Sequence, residues 1–302
     1  MQLITLLTMG RRGNLVMESN TINKLKQTIY KHQFSLEQDR ALSVFSDVSL
    51  KLAEQILKDN ADEISPSAFV AWWQANYRLY ANQQMMITDV NFNGSSANQS
   101  QPEENEYIEI TNQGPAILDL GGWSIEAGPN QTMTFKEKTM IASGQTIRIY
   151  TFDKGEFSFK SHQAIWNNRG DKAKLYDQDA SLISQWWYGR EAEQDVYISH
   201  IAFDGNDRYS EGDEYVEITN LSPAWVDISS WVLGGGHADD FVFSEGSHIA
   251  PFGNIRVYTN KLDAKTGGYS WDSKRAIWNN HAGHAYLNGL EHRTVSDYRY
   301  GK

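Results

Sequence analysis

Four glutamates, Glu106, Glu109, Glu214 and Glu217, sit in two short segments that alternate apolar and polar residues. A pair of carboxylates is the minimum equipment for glycoside hydrolysis, one to protonate the leaving oxygen and one to assist attack. Within each pair the spacing is three, and on a strand that spacing sends the two side chains to opposite faces. Neither pair can flank one scissile bond, so no catalytic residue is assigned to them. The loop Asp204-Gly205-Asn206-Asp207, continuing to Glu211, Asp213 and Glu214, is dense in oxygen ligands. A hard cation such as calcium takes six to eight oxygens, and Asp204, Asn206, Asp207 and Asp213 are its candidate ligands. The loop lacks the spacing of a helix–loop–helix calcium site, and the corresponding stretch near Asn93-Gly94-Ser95 does not repeat the acids, so a solvated acidic turn is the preferred reading. His281 and His284 are three apart, a zinc spacing on a helix, but their surroundings read as turn and strand and no third ligand is placed. The chain has no cysteine, which removes disulfides, thiolate zinc sites and cysteine nucleophiles. There is no glycine-rich phosphate loop, no nucleophile elbow and no metalloprotease helix motif. The run Gly234-Gly235-Gly236 is expected to be a flexible turn. No cofactor is implied.

The elements that carry these residues come in two copies. Residues 106–125, EYIEITNQGPAILDLGGWSI, recur as EYVEITNLSPAWVDISSWVL at 214–233, and TIRIYT at 146–151 recurs as NIRVYT at 254–259. AIWNN at 164–168 returns at 276–280 with four extra residues before it, which places a longer loop around Lys261 to Gly268. Both copies close on Tyr-Gly, at Tyr188-Gly189 and Tyr300-Gly301. Internal repetition at this period, roughly 105 residues, is the size of one all-β domain. Tyr107 to Ile110, Tyr215 to Ile218, Ile147 to Tyr150 and Ile255 to Tyr258 alternate as half-buried strands do. Turn signals at Asn112-Gln113-Gly114-Pro115, Gly121-Gly122 and Ser143-Gly144 separate them. Short strands at such intervals, with no helical pattern between, predict a sandwich or barrel.

These motifs resemble the lamin tail domain, an immunoglobulin-like module. The matching pattern is a Glu-Tyr-x-Glu-Ile strand, an Asn turn, an Asp-x-x-x-Trp segment and a late Trp-Asn-Asn block. In the first copy they are Glu106 to Asn112, Asp119 with Trp123, and Ile165 to Asn168 followed by Gly170-Asp171. In the second they are Glu214 to Asn220, Asp227 with Trp231, and Ile277 to Asn280. The second copy has Ala282-Gly283 where the first has Gly170-Asp171, so a shared role for that aspartate does not follow. The resemblance spans about residues 86–302 and implies a binding or scaffolding module rather than a catalyst; the coiled-coil rod that precedes the domain in lamins is absent. Trp123 and Trp231 are expected in the core, packed between sheets, and the asparagines beside Trp166 and Trp278 are expected to tie turns to the backbone.

Residues 17–85 carry no such resemblance. Leu42, Phe45, Val48, Leu52 and Ile56 follow a helical spacing, Ser35 with Gln38 suits a capping box, and Ser65-Pro66 suits a helix start. The next stretch places Phe69, Trp72, Trp73, Tyr77 and Tyr80 along a helix. A segment of this size buries little surface alone, and an aromatic patch of this kind marks an interface, so these five residues are the expected docking or self-association surface. Residues 1–16 read as a loose tail, since the basic residues Arg11 and Arg12 follow the apolar patch, the reverse of a secretory signal.

The chain of 302 residues has 27 Lys and Arg against 38 Asp and Glu, a net charge of −11, and the acidic excess lies in the repeats. Such a chain repels polyphosphate, so nucleic acid is not an expected partner, and no apolar run is long enough for a membrane span. The expected fold is mainly β, two tandem immunoglobulin-like β-sandwiches at 86–190 and 195–302 preceded by a short α-helical segment. The expected function is a non-enzymatic structural or binding protein, with a protein partner or self-association through the amino-terminal helices, in the cytoplasm or an assembled particle. Two other readings stand beside it. One is a surface or particle decoration or adhesin. The other is a carbohydrate-active hydrolase with a groove between the repeats, lined by residues such as Glu214 and Trp225.

Overall fold

The computed structural model describes residues 82–94, 105–114, 117–128, 131–207 and 210–301. The helical segment expected at 17–85, with Phe69, Trp72, Trp73, Tyr77 and Tyr80, lies outside them, save its last few residues. The chain divides into two compact units. One holds Thr111–Gly122 and Phe135–Thr146; the other holds Ile87–Ile110, Trp123–Thr134 and the described residues from Ile147 onward.

The described chain is mainly β. Its strands are β1 (Met85–Asn91), β2 (Tyr107–Asn112), β3 (Leu118–Asp119), β4 (Ser124–Ala127), β5 (Thr132–Thr134), β6 (Met140–Ile141), β7 (Thr146–Phe152), β8 (Phe157–Ser161), β9 (Gly170–Tyr176) and β10 (Leu182–Gly189). A four-residue helix, α1 (Arg190–Glu193), leads into the second series. That series is β11 (Val196–Ala202), β12 (Tyr215–Asn220), β13 (Trp225–Asp227), β14 (Val232–Gly234), β15 (Phe241–Val242), β16 (His248–Ile249), β17 (Asn254–Tyr258), β18 (Tyr269–Ser270), β19 (Ala282–Asn288) and β20 (Thr294–Gly301).

The alternation read from the sequence is the alternation of burial. Ile108 and Ile110 in β2, and Val216 and Ile218 in β12, are fully buried, while the intervening Tyr107, Glu109, Tyr215 and Glu217 are half-buried. A half-buried sheet requires this period of two, because successive side chains leave opposite faces. The sheets run β1-β2-β7-β8 and, in the second copy, β11-β12-β17-β18. Facing the latter is β15-β14-β19-β20, and between the two the second core gathers Val216, Ile218, Trp231, Leu233, Phe243, Trp278 and Leu287. Trp123 and Trp231 are 0% and 1% exposed, core residues as expected. A serine ties the last strand of each copy to the first: Ser184 Oγ accepts the Ile87 N–H at 3.0 Å, and Ser296 Oγ accepts the Ile198 N–H at 3.1 Å.

The longest sheet is not confined to one repeat. Its order is β16-β13-β10-β9-β4-β5, so two strands of the second copy extend a sheet of the first. β10 and β13 pair in parallel, Trp186 opposite Trp225 and Trp187 opposite Val226. Trp186 and Trp225 both lie against the His248 ring, at 5.6 and 5.2 Å between centroids. At the same boundary Glu291 receives Arg190 at 2.6 Å and Arg169 at 3.5 Å. The chain turns there at Gly189, whose φ of 57° is open to glycine at little cost and whose Cβ position is filled by the Arg169 carbonyl.

The glycine run corrects one expectation. Gly234 ends β14, and a Cβ on it meets Asp240 and Tyr286. One on Gly235, at φ 109°, meets the His284 carbonyl, and one on Gly236 meets Ile277. The three glycines are a site of close backbone approach inside the packed second repeat, not a flexible turn.

Candidate functional site

The polar residues that recur in both copies are held by the fold. In the second copy Glu214 is fully buried before β12. Its Oε2 accepts the Ile277 N–H at 3.0 Å and the Thr259 hydroxyl at 3.0 Å, which fastens the Trp-Asn-Asn block to the end of β17. Oε1, equally buried, meets no partner in hydrogen-bonding geometry. Burial therefore pushes this carboxyl up to about 7, only partly offset by the Ile277 N–H, the Thr259 hydroxyl and the nearby Trp278 N–H. In the first copy Glu106 Oε2 accepts the Ile165 N–H at 3.2 Å in the same way.

Glu109 and Glu217 face the other way, as their spacing requires. Each pairs across the strand with an arginine, Arg148 at 3.0 Å and Arg256 at 2.9 Å. Each arginine also lies over a tyrosine ring, Tyr107 at 4.4 Å and Tyr215 at 4.2 Å. In each copy the clamp glutamate and the ion-paired glutamate therefore stand on opposite faces and offer no shared site to a substrate.

The turns follow the same logic. Asp119 Oδ1 accepts the Gly121 N–H, and Asp227 Oδ1 the Ser229 N–H, each at 2.8 Å. These turns deliver Trp123 and Trp231 to their cores. Asn112 Oδ1 accepts the Gly114 N–H at 3.0 Å and Asn220 Oδ1 the Ser222 N–H at 2.8 Å. Beside the buried Trp166 and Trp278, Asn167 Oδ1 accepts the Arg169 N–H at 3.0 Å and Asn279 Oδ1 the His281 N–H at 2.9 Å. The second copy's departure at Ala282-Gly283 also has a physical account. Asp171 Oδ2 accepts the Asn167 N–H at 3.3 Å, whereas the equivalent Asn279 N–H donates to the Tyr300 hydroxyl at 3.0 Å. That hydroxyl lies where a Cβ on Gly283 would sit.

The acidic loop is organised around Asp213. Its Oδ2 accepts the Asn206 N–H at 3.0 Å and its Oδ1 the Asp207 N–H at 3.1 Å, while Ser210 donates to Asp207 at 3.1 Å. Burial opposes ionisation of Asp213, but the N–H groups of Asp207 and Asn206 outweigh it and hold the carboxyl below its ordinary range. The carboxylate is thus directed at the loop's own backbone. Among the described residues no three His, Asp or Glu side chains gather as a metal site. His281 and His284 are both exposed around the start of β19.

Two features of the site have no local signature in the sequence. One is the Trp186–Trp225–His248 cluster, which arises only because strands about forty residues apart pair in parallel. The other is Asp227, which β10 and its own turn bury and whose pKa burial raises, whereas the equivalent Asp119 is exposed.

The family model described as Lamin Tail Domain matches residues 79–190 and again 189–302. No curated relative matches the chain. Among solved structures, a crystal structure of the YadV chaperone aligns at 12% identity over 64% of this chain and 90% of that one, with a TM-score of 0.18. At that score the alignment carries no argument about function. Among the described residues no helix is long and apolar enough to cross a membrane.

Proposed function

Since the chain belongs to the lamin tail domain family and carries the domain twice, we propose that it is a non-enzymatic interaction protein whose repeats form the scaffold and whose amino-terminal aromatic segment docks a protein partner, in the cytoplasm or within an assembled particle. The observation that carries this reading is the engagement of the repeated acids. Glu106 and Glu214 clamp backbone N–H groups in both copies, and Glu109 and Glu217 pair with arginines. Groups that recur twice in the same structural contacts serve the fold. The hydrolase reading needs two carboxyls facing one bond, and these pairs stand back to back.

Phe69, Trp72, Trp73, Tyr77 and Tyr80 supply the apolar anchors that protein interfaces favour. The test is a cross-linked capture from native extract that compares the full chain, a chain beginning at Gln84, and a Trp72→Ala, Trp73→Ala double variant. A defined partner held by the full chain and lost from both others is the expected result. Equal capture by all three moves the docking function into the repeats and overturns the assignment of the aromatic segment.

A further inference from the structure

Among the described residues, the strands equivalent to the two sides of the junction between the repeats, β20 and β3, each have an edge to which no strand is paired. In the first copy the four-stranded sheet β5-β4-β9-β10 continues into β13 and β16. Among the described residues the corresponding sheet of the second copy, β15-β14-β19-β20, has no strand paired beyond β20. Conversely, β13 and β16 have counterparts in β3 and β6, and among the described residues these form a two-stranded sheet to which no third strand is added.

The equivalence holds residue by residue. β10 pairs with β9 through Trp186 opposite Ala173 and Gly189 opposite Gly170, and β20 pairs with β19 through Tyr298 opposite Ala285 and Gly301 opposite Ala282. β13 pairs with β16 as Val226 opposite Ile249 and Asp227 opposite His248, and β3 with β6 as Leu118 opposite Ile141 and Asp119 opposite Met140. Burial marks which edges are covered. Trp186 is 2% exposed and Asp227 is 9%, whereas Arg299, in the place of Trp187, has 83% of its side chain exposed. Asp119 is exposed and Met140, in the place of His248, is 41% exposed.

We propose that β20 of one copy of this chain pairs in parallel with β3 of a second copy, Tyr298 opposite Ile117 and Arg299 opposite Leu118, reproducing between molecules the β10–β13 junction found within one. An unpaired strand edge is a template for another strand, and the intramolecular junction supplies both the register and the direction. Because the two edges differ, the contact is head-to-tail, with each copy able to give one edge and receive the other. It is weaker than its internal model, for two reasons. The internal pairing benefits from the high effective concentration of linked partners, and Arg299 and Ile117 stand where that pairing has tryptophans. The inference rests on reading the repeats as an interaction module, and it makes no use of the amino-terminal aromatic segment.

The absence of native cysteine gives a clean test on the full chain. An Ile117→Cys protein is mixed with a Tyr298→Cys protein and oxidised, since strands in register bring Cα atoms within disulfide reach. A cross-linked dimer from the mixture, little from either protein alone, and a ladder of multimers from the double-cysteine chain are the expected results. Pairing Ile117→Cys with Thr294→Cys, about 13 Å out of register, is expected to cross-link at least tenfold less. A second variant guards against misfolding: Ile117→Trp with Tyr298→Trp restores the facing tryptophans of the internal junction and should tighten self-association in sedimentation velocity by roughly tenfold. No cross-link together with a monomer at every concentration overturns the proposal. So does cross-linking indifferent to register, or self-association that the tryptophan pair leaves unchanged. If the partner capture described above persists while these fail, the interaction reading stands and only the edge pairing falls.

Discussion

Replacing Glu214 by glutamine separates what its carboxyl does as a hydrogen-bond acceptor from what its ionisation does to the fold. Glutamine keeps an oxygen for the Ile277 N–H and the Thr259 hydroxyl but cannot ionise. Burial pushes the Glu214 pKa up from an ordinary 4.5 to about 7. A carboxyl whose folded pKa is raised binds its proton more tightly in the folded state, so its contribution is fully present below about pH 4.5 and is lost as pH rises through 7. With those two values the penalty is about 0.8 kcal/mol at pH 5 and about 3.4 kcal/mol at pH 8, a loss of about 2.5 kcal/mol across the interval. In the Glu214→Gln protein this component vanishes. That protein carries instead a nearly pH-independent cost of about 1 kcal/mol for the extra buried amide N–H. It is therefore expected to be slightly less stable than the wild type at pH 5 and more stable at pH 8. Urea unfolding followed by tryptophan fluorescence at pH 5, 6.5 and 8 reads the difference, which at a slope of about 2.5 kcal/mol/M amounts to a relative midpoint change of about 1 M. Other carboxyls, including Asp89, pushed up to about 6 by burial, titrate in both proteins and cancel in the double difference. Parallel pH profiles for the two proteins would refute the claim that Glu214 is a buried acid held against ionisation.

Four further outcomes follow from particular contacts. Tyr300→Phe should destabilise the second repeat by about 0.5–1 kcal/mol, because it removes the partner of the exposed Asn279 N–H; Tyr188→Phe should be neutral or stabilising, since the Tyr188 hydroxyl is buried without a partner, and thermal unfolding of the two variants compares them directly. Gly235→Ala should cost about 2–4 kcal/mol, because φ is 109° and the new Cβ meets the His284 carbonyl, a loss visible in the urea midpoint. Millimolar calcium should leave the melting temperature unchanged, since the Asp213 carboxylate already accepts the Asn206 and Asp207 N–H groups; a rise of several degrees would show that the loop opens to bind the ion.

Much of the repeat architecture was legible because local rules act on short stretches. The alternation at Tyr107–Ile110 reports burial directly, and the Asp-x-x-x-Trp spacing reports a turn that delivers an indole to the core. The back-to-back placement of Glu106 and Glu109 follows from strand geometry alone. The junction was not legible. A parallel pairing of Trp186 with Trp225 depends on how two finished sheets meet, and no periodicity within either strand records it. The need for glycine at 234–236 is hidden for a related reason: apart from Asp240 it comes from Ile277, His284 and Tyr286, about forty to fifty residues away. The replacement of Asp171 by Tyr300 as the acceptor for an equivalent N–H likewise links positions that the sequence alone keeps apart.

The shared sheet also sets a timetable for synthesis. β10 is complete once Gly189 has been made, but its outer edge is not paired until β13 is complete at Asp227, about 40 residues later, or some 2–8 s at ordinary elongation rates. Through that interval Trp186 and Trp187 line an open strand edge on a nascent chain, where chaperones act and where neighbouring polypeptides on a polysome stand close enough to take the place of β13. The second repeat is thus the escort that ends the first repeat's exposure, and a ribosome that stalls between residues 190 and 224 leaves behind a fragment with its adhesive edge bare.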